Sequence, residues 1–323
     1  MIKIGIVGGA GYTAGELIRL LIHHPKVVIQ NILSNSNPGL YIYTVHPDLF
    51  GETNMKFTDA LDEDLDVIFL CLGHGLSREA LKITPPKTKI IDLSQDFRLA
   101  EKSVFNGKKF VYGLPEQQRN RIKGAQNIAN PGCFATIIQL ALLPLAHAQR
   151  LEGDIHISAI TGATGAGRGL SESTNFSWRY NNISNYKIFT HQHLHEIKEG
   201  LTRGQKSFKS EIYFVPYRGN FSRGIMITVY IDSSLSLEEN EALYDAYYEF
   251  HPFVRLSDQP VHLKQVIGSN KCLLHLSLQK DKLIISGVID NLLKGASGQA
   301  VQNLNLMYDW EESCGLRLKS IGF

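Results

Sequence analysis

Ile2 to Val7 form a short, almost wholly apolar run, the pattern of a strand buried on both faces. A glycine-rich turn follows at once. Leu17, Leu20 and Leu21 then recur at helical spacing, which predicts a helix from about Thr13 to His23, closed by Pro25. Val27 to Leu33, Val67 to Leu72 and Lys89 to Leu93 read as further strands, with a helix between the last two that Ser77 is placed to cap. Strands alternating with helices imply parallel crossovers and a doubly wound sheet. Beyond about residue 150 the rhythm changes. Ser210 to Val215, Ile225 to Ile231, Leu273 to Leu278 and Leu283 to Ile289 predict strands, and Leu237 to Phe250 a helix. Alternation in LLHLSLQ predicts a sheet with one covered and one wetter face. Ala300, Val301, Leu304 and Met307 stand at helical offsets in a last helix, from about Ala296 to Trp310.

A chain of 323 residues is long enough for two domains. With 43% hydrophobic and 20% charged residues it belongs with globular proteins, not with disordered, collagenous or disulfide-scaffold chains. Lys and Arg number 33 against 31 acids, so neither nucleic acid nor an anionic membrane is called for as main partner. Cys71, Cys133, Cys272 and Cys314 are far apart and form no CxxC pair, which fits a reducing compartment and argues against a structural zinc. The greasiest stretch, IIQLALLPLA from Ile137, is about half a membrane span. Its composition and the absence of a leader pattern at the N-terminus predict a soluble, cytoplasmic protein.

Gly9-Ala10-Gly11-Tyr12-Thr13-Ala14 fits G-x-G-x-x-A between a strand and a helix, the context in which that motif holds a dinucleotide pyrophosphate. The alternative is the same turn with no ligand. The end of the second strand reads Leu33-Ser34-Asn35-Ser36-Asn37 and carries no acid for ribose hydroxyls, so NADP is expected over NAD. Cys133 follows Asn130-Pro131-Gly132 and opens an apolar run long enough for a helix. Unpaired N–H groups and the positive end of the helix dipole favour a thiolate nucleophile there; the alternative is a buried structural cysteine, the role expected of Cys71, Cys272 and Cys314.

His191, His193 and His195 would share one face of an extended segment, with Glu196 on the other. One of them can serve as acid and base beside a thiol; the alternative is three solvated loop histidines, and the ligand set is too incomplete for a metal site. Gly162 to Gly169 is a second glycine-rich loop, expected to be flexible and to offer N–H groups and Arg168 to a substrate. Arg98 ends a segment leaving a parallel strand, where ligands of open sheets gather. Taken singly, Arg98, Arg168 and Arg223 are more often surface charges than ligands.

These segments, taken in order, resemble one family: the N-acetyl-γ-glutamyl-phosphate reductases, within the aspartate-semialdehyde-dehydrogenase-like group. The stretches are GGAGYTAGEL, HPDLFG, DLSQDFRL, YGLPE and ANPGCFAT, then TGATGAGR, HQHLHEI, RGIMITVY and DNLLKGASGQAVQNLNLM, covering the chain nearly end to end. The resemblance implies an α/β fold: a Rossmann-type doubly wound parallel sheet in residues 1–132 and 297–323, and an α+β catalytic and oligomerisation domain with a mixed, largely antiparallel sheet in 133–296. It implies NADPH-dependent reductive dephosphorylation of an acyl phosphate through a Cys133 thioester, in a homodimer or homotetramer. It assigns His193 as acid/base, with His191 second. His195 stands where the family carries proline. Gly8, Gly9, Ala10, Gly11, Tyr12, Thr13 and Ala14, with Ser34 and Ser36, are expected to bind NADP, and Asn291 to lie near the nicotinamide. Arg98, Arg168 and Asn130 are expected to contact substrate. Competing readings are the same chemistry on an N-succinylglutamyl or carrier-linked aminoadipyl phosphate, or a non-catalytic NADP-binding regulator.

Overall fold

The computed structural model describes residues 1–322, which cluster into two compact units. The first comprises Met1–Pro131 and Ala296–Arg317. Its elements begin with β1 (Ile2–Val7), α1 (Tyr12–Leu21), β2 (Val27–Leu33), β3 (Val67–Leu70), α2 (Ser77–Ala80) and β4 (Lys89–Asp92), followed by β5 (Val104–Phe105), β6 (Lys108–Tyr112), α3 (Pro115–Ile122) and β7 (Asn127–Ala129). The sheet runs β2-β1-β3-β4-β7-β6-β5 and is parallel throughout except for the β5–β6 hairpin. β3 reads VIFL with all four residues buried, as a strand covered on both faces must be. One local expectation fails. Ser77 is the first residue of α2 and not its cap; its hydroxyl donates instead to the carboxylate of Asp92, at 2.6 Å. Asp92 is completely buried at the end of β4, and burial pushes its carboxyl up to about 6 against the opposing pull of Ser77, Ser94 and Arg98.

The second unit comprises Gly132–Gly295 and residues 318–322. It contains α4 (Cys133–His147), β8 (Glu152–Thr161), α5 (Phe176–Arg179), β9 (Ser184–Asn185), α6 (His193–Gly204) and β10 (Ile212–Arg218), then β11 (Ile225–Asp232), α7 (Leu237–Tyr248), β12 (Val254–Leu256), β13 (Cys272–Gln279) and β14 (Lys282–Ile289). The sheet order is β12-β13-β14-β11-β8-β10-β9. Its centre, β13-β14-β11-β8, is antiparallel, while β12–β13 and β8–β10 are parallel. β13 alternates buried and half-buried residues along LLHLSLQ, one face against helices and the other more open. The sequence reading passes over β8, where Ile155, Ile157 and Ala159 alternate with Asp154, His156 and Ser158.

α4 is the core helix of this unit. Phe134 to Ala146 are all buried, because a helix apolar on every face must be covered all round, here by β11, β14, α6 and α7. Pro144 has no N–H for the carbonyl of Leu140. That carbonyl is taken by the hydroxyl of Tyr248, and Tyr244 caps the neighbouring carbonyl of Ala141 at 2.5 Å, so α7 repairs the gap that the proline leaves. Last comes α8 (Gly298–Met307), which belongs to the first unit and packs against α1, α3 and β4 with every residue buried. Its amides bond inward: Gln299 and Asn303 donate to the carbonyl of Gly113 at 3.0 and 2.9 Å. Among the described residues no helix is long and apolar enough to cross a membrane.

Candidate active site

In the first unit the strand order reverses at β1, the switch point where open parallel sheets place ligands. The glycine turn lies at the end of that strand. Gly8 takes a left-handed φ of +83°, and a Cβ there would sit 2.6 Å from the carbonyl oxygen of Cys71. The N–H groups of Gly8 and Gly9 both donate to Leu33 O, at 3.1 and 2.9 Å, locking the turn to the end of β2. Gly11 is the N-cap of α1 and offers no side-chain cap, so the first-turn N–H groups lack an intrahelical partner. A Cβ on Gly11 would meet nothing nearer than 3.6 Å, so its open side leaves room for a ligand to approach the backbone. At the end of β2, Asn37 Nδ2 donates to the hydroxyls of Ser34 and Ser36, at 3.1 and 2.8 Å. That cluster holds hydroxyls and an amide and no carboxylate, which fits a 2′-phosphate. Cys71 is buried beside this turn, and burial pushes its thiol up to about 12, an inert group as expected.

In the second unit Cys133 is the first residue of α4, half-buried, with Gly132 as N-cap. The histidine segment is not extended. α6 begins at His193, so His191 and His193 are buried while His195 is turned out to solvent. Helical geometry also overturns the expected place of Glu196: three residues on from His193, it shares that residue's face instead of opposing it. Its Oε1 lies 3.8 Å from His193 Nε2, and its Oε2 accepts the N–H of Gly132 at 3.0 Å. One carboxylate thus joins the histidine to the residue that precedes the cysteine.

The same face explains why α6 sits so close. Gly200 and Gly204 continue it, and a Cβ on Gly200 would collide with the side chain of Gln139 of α4, one on Gly204 with Ala146 at 2.9 Å. His191 Nδ1 accepts the N–H of His193 at 3.2 Å, capping the start of the helix. Its ring packs edge-on against Phe134, Phe214 and Tyr186. Burial, and then the neighbouring His193 and Lys187, push His191 down to about 3, so it stays neutral near neutrality. With Nδ1 accepting, the proton of that neutral ring resides on Nε2.

The other expected residues take a range of environments. Asn130 and Arg98 lie buried in the first unit as cross-braces: Arg98 donates to Asn130 O and Leu93 O, both at 2.8 Å, while Asn130 bridges Ala296 O and Asn303 at 3.0 Å each. Asn291 accepts from Gly224 N at 2.6 Å and donates to Thr164 Oγ1 at 3.1 Å, pinning two loops. The loop expected to be flexible is tied at its first half, with Gly162, Ala163 and Thr164 N–H groups bonded to Gly224, Phe221 and Ser222; Arg168 beyond it is exposed. Arg223 forms a two-point ion pair with buried Asp290, at 2.9 and 3.1 Å. Cys314, expected to be buried, is partly exposed. Neither the pairing of Glu196 with His193 nor the packing of Tyr186 on His191 was anticipated. The spacing His193, Glu196, Gly200, Gly204 carried the signal, being one stripe of a helix.

A doubly wound parallel unit with a glycine turn, joined in sequence to a mixed-sheet unit whose first helix opens on a cysteine, defines a dinucleotide-dependent dehydrogenase of the semialdehyde class. Residues 3–125 match the family described as semialdehyde dehydrogenase, NAD binding domain, and residues 133–291 the one described as semialdehyde dehydrogenase, dimerisation domain. The fold is shared with aspartate semialdehyde dehydrogenase II from Vibrio cholerae complexed with ASA (TM-score 0.72, 15% identity, 96% of this chain and 98% of that one). It is shared equally with the Candida albicans enzyme with NADP (TM-score 0.71, 14% identity, 95% and 98%). Much nearer in sequence are proteins named N-acetyl-gamma-glutamyl-phosphate reductase. Those of Karelsulcia muelleri and Bacteroides fragilis are 53% and 52% identical, with 100% of both chains covered in each case. The chain belongs to the N-acetyl-gamma-glutamyl-phosphate reductase family.

Proposed function

We propose that this protein reduces N-acetyl-γ-glutamyl phosphate to N-acetylglutamate 5-semialdehyde with NADPH, releasing inorganic phosphate. The observation that carries the mechanism is Cys133 at the N-terminus of buried α4, with Glu196 bonded to the preceding N–H and facing His193. The dipole of α4 and its first-turn N–H groups favour negative charge on the sulfur. Cys133 Sγ bonds to the acyl carbon, the bond from that carbon to the phosphate oxygen breaks, and phosphate leaves with the electron pair, giving a thioester. The glycine turn of Gly8 to Ala14 and the Ser34–Ser36 cluster would hold NADPH, which supplies a hydride when bound. His193 protonates the former carbonyl oxygen and later removes that proton, whereupon the carbon–sulfur bond breaks and the thiolate is restored. Glu196 orients His193 and steadies its positive form. His191, neutral and already accepting a hydrogen bond from the backbone of His193, serves as a positioning residue.

The test is phosphate-dependent reduction of NADP by the semialdehyde. Wild-type protein should be active, Cys133→Ser should lose activity, and mass spectrometry should find an acyl adduct on Cys133. Full turnover by Cys133→Ser would remove the thioester route. We infer also a cytoplasmic homodimer or homotetramer, supported by the match to a dimerisation domain, by the half-open sheet face carrying Ile160, Tyr213, Met226 and Tyr230, and by four cysteines that form no disulfide among the described residues. Light scattering that gave a monomer at micromolar concentration would contradict it.

A further inference from the structure

Beside the cysteine site the second unit holds two guanidinium groups with no acid to balance them. Arg179 is buried and spends its donors on backbone and hydroxyl oxygens: Ser173 O, Asn182 O, Arg218 O and Ser184 Oγ. Burial and the charge of Arg218 together hold its pKa below the usual value. Arg218 ends β10, partly open to solvent, and its guanidinium lies over the ring of Tyr186 at 4.8 Å. It donates to Ser173 Oγ at 3.2 Å, while its Nε has no hydrogen-bond partner. Among the described residues no carboxylate forms an ion pair with either side chain.

This place adjoins the reacting groups. The Tyr186 ring meets His191 edge-on at 5.8 Å, and the Tyr186 phenol lies within electrostatic reach of both Cys133 and Arg218. Two uncompensated positive charges held in a fixed frame are costly unless an anion completes them, and a guanidinium with spare donors matches a carboxylate fork. We infer that Arg218 binds a carboxylate of the acyl-phosphate substrate, with Arg179 holding the frame and Tyr186 the plane of the guanidinium. The inference rests on the function proposed above and adds a specificity-determining residue to it. An N-acylglutamyl group always carries an α-carboxylate, and an acyl cap derived from a dicarboxylic acid carries a second. Either supplies the same chemistry.

The test uses the full-length enzyme in the direction of NADP reduction with inorganic phosphate. Three aldehydes are compared: N-acetylglutamate semialdehyde, N-succinylglutamate semialdehyde and an acetamido-butanal that lacks the α-carboxylate. Arg218→Gln and Arg218→Lys are assayed beside wild type. We expect Arg218→Gln to raise KM for the carboxylated aldehydes about 10- to 100-fold, the range for a charge-assisted hydrogen bond, with kcat little changed, and Arg218→Lys to recover part of the loss. The aldehyde without the α-carboxylate should keep its wild-type KM. Equal loss on the acetyl and succinyl aldehydes identifies the α-carboxylate; loss confined to the succinyl aldehyde identifies the cap. Unchanged KM for every aldehyde in both folded variants, or equal loss on the acetamido-butanal, overturns the inference. A wild-type enzyme inactive on all three would instead remove the proposed function beneath it.

Discussion

Replacing Gly295 by alanine would probe how tightly Cys133 is held. Gly295 is not among the left-handed glycines, so its backbone accepts a side chain and the cost is one of space. An added Cβ would stand 2.9 Å from Cys133 Cβ, 3.4 Å from Cys133 Cα and 3.3 Å from Asp290 O. Carbon atoms rest comfortably at about 3.5–4.0 Å, so roughly 0.6–1.1 Å of separation has to be created. Cys133 Cβ cannot rotate away, because the backbone alone fixes its position, and α4 behind it is packed on every side. On the other side, the Gly295 N–H is tied to Asp290 O at 2.9 Å. Overpacking of this kind costs about 1–3 kcal/mol of stability, while moving a reacting group by about 1 Å costs about 100-fold in rate. We expect kcat/KM for phosphate-dependent NADP reduction to fall about 100-fold, with unfolding in urea shifted by no more than about 3 kcal/mol. Iodoacetamide labelling of Cys133 should slow as well. A variant with kcat/KM within about twofold of wild type would refute the reasoning, since it would mean the contact is relieved without disturbing the thiol.

Three further outcomes follow from the geometry. His193→Asn should lower kcat about 10²–10⁴-fold, whereas His191→Asn should cost less and leave the pH profile of kcat unchanged near neutrality; the opposite ranking in steady-state assays would exchange their roles. Ser36→Asp places a negative charge in the Ser34–Ser36 cluster and should raise the KM for NADP at least about fivefold, from roughly 1 kcal/mol of repulsion, while sparing NAD; an unchanged ratio of the two KM values would remove that cluster from the cofactor site. Asp92 has a folded pKa above its unfolded value, so folding takes up a proton between the two. Its contribution is most favourable near pH 4 and is lost as pH rises through about 6, a span of two units or about 3 kcal/mol. Urea denaturation of wild type and Asp92→Asn from pH 4.5 to 7.5 should therefore show the stability difference moving in favour of Asn as pH rises, and parallel curves would contradict the raised carboxyl.

Much of the fold was legible because its strands are short apolar runs between strong punctuation. Val27–Leu33 is read to the residue, and the start of α4 follows from Pro131 and Gly132 meeting an apolar run. β8 escaped because its polar residues alternate onto the open face of the sheet, which dilutes a pattern judged by runs. The histidine segment was read with the wrong period. At two residues per repeat His191, His193 and His195 align and Glu196 opposes them; at 3.6 the alignment is His193, Glu196, Gly200 and Gly204, with glycines that only the neighbouring helix explains. Arg98 and Asn130 show a different limit. A buried Arg or Asn that braces backbone carbonyls has the same local sequence as an exposed one, and only tertiary contacts reveal the bracing.

The position of α8 has a consequence for how the protein is made. Residues 132–295 leave the ribosome as one uninterrupted stretch, whereas the parallel-sheet unit waits for its last helix, whose amides close the carbonyl of Gly113 and the side chain of Asn130. During synthesis the main body of the second unit, residues 132–295, therefore emerges before the helix that completes the parallel-sheet unit, and the half that begins the chain waits for α8, its α8-covered surface a natural client for chaperones until then.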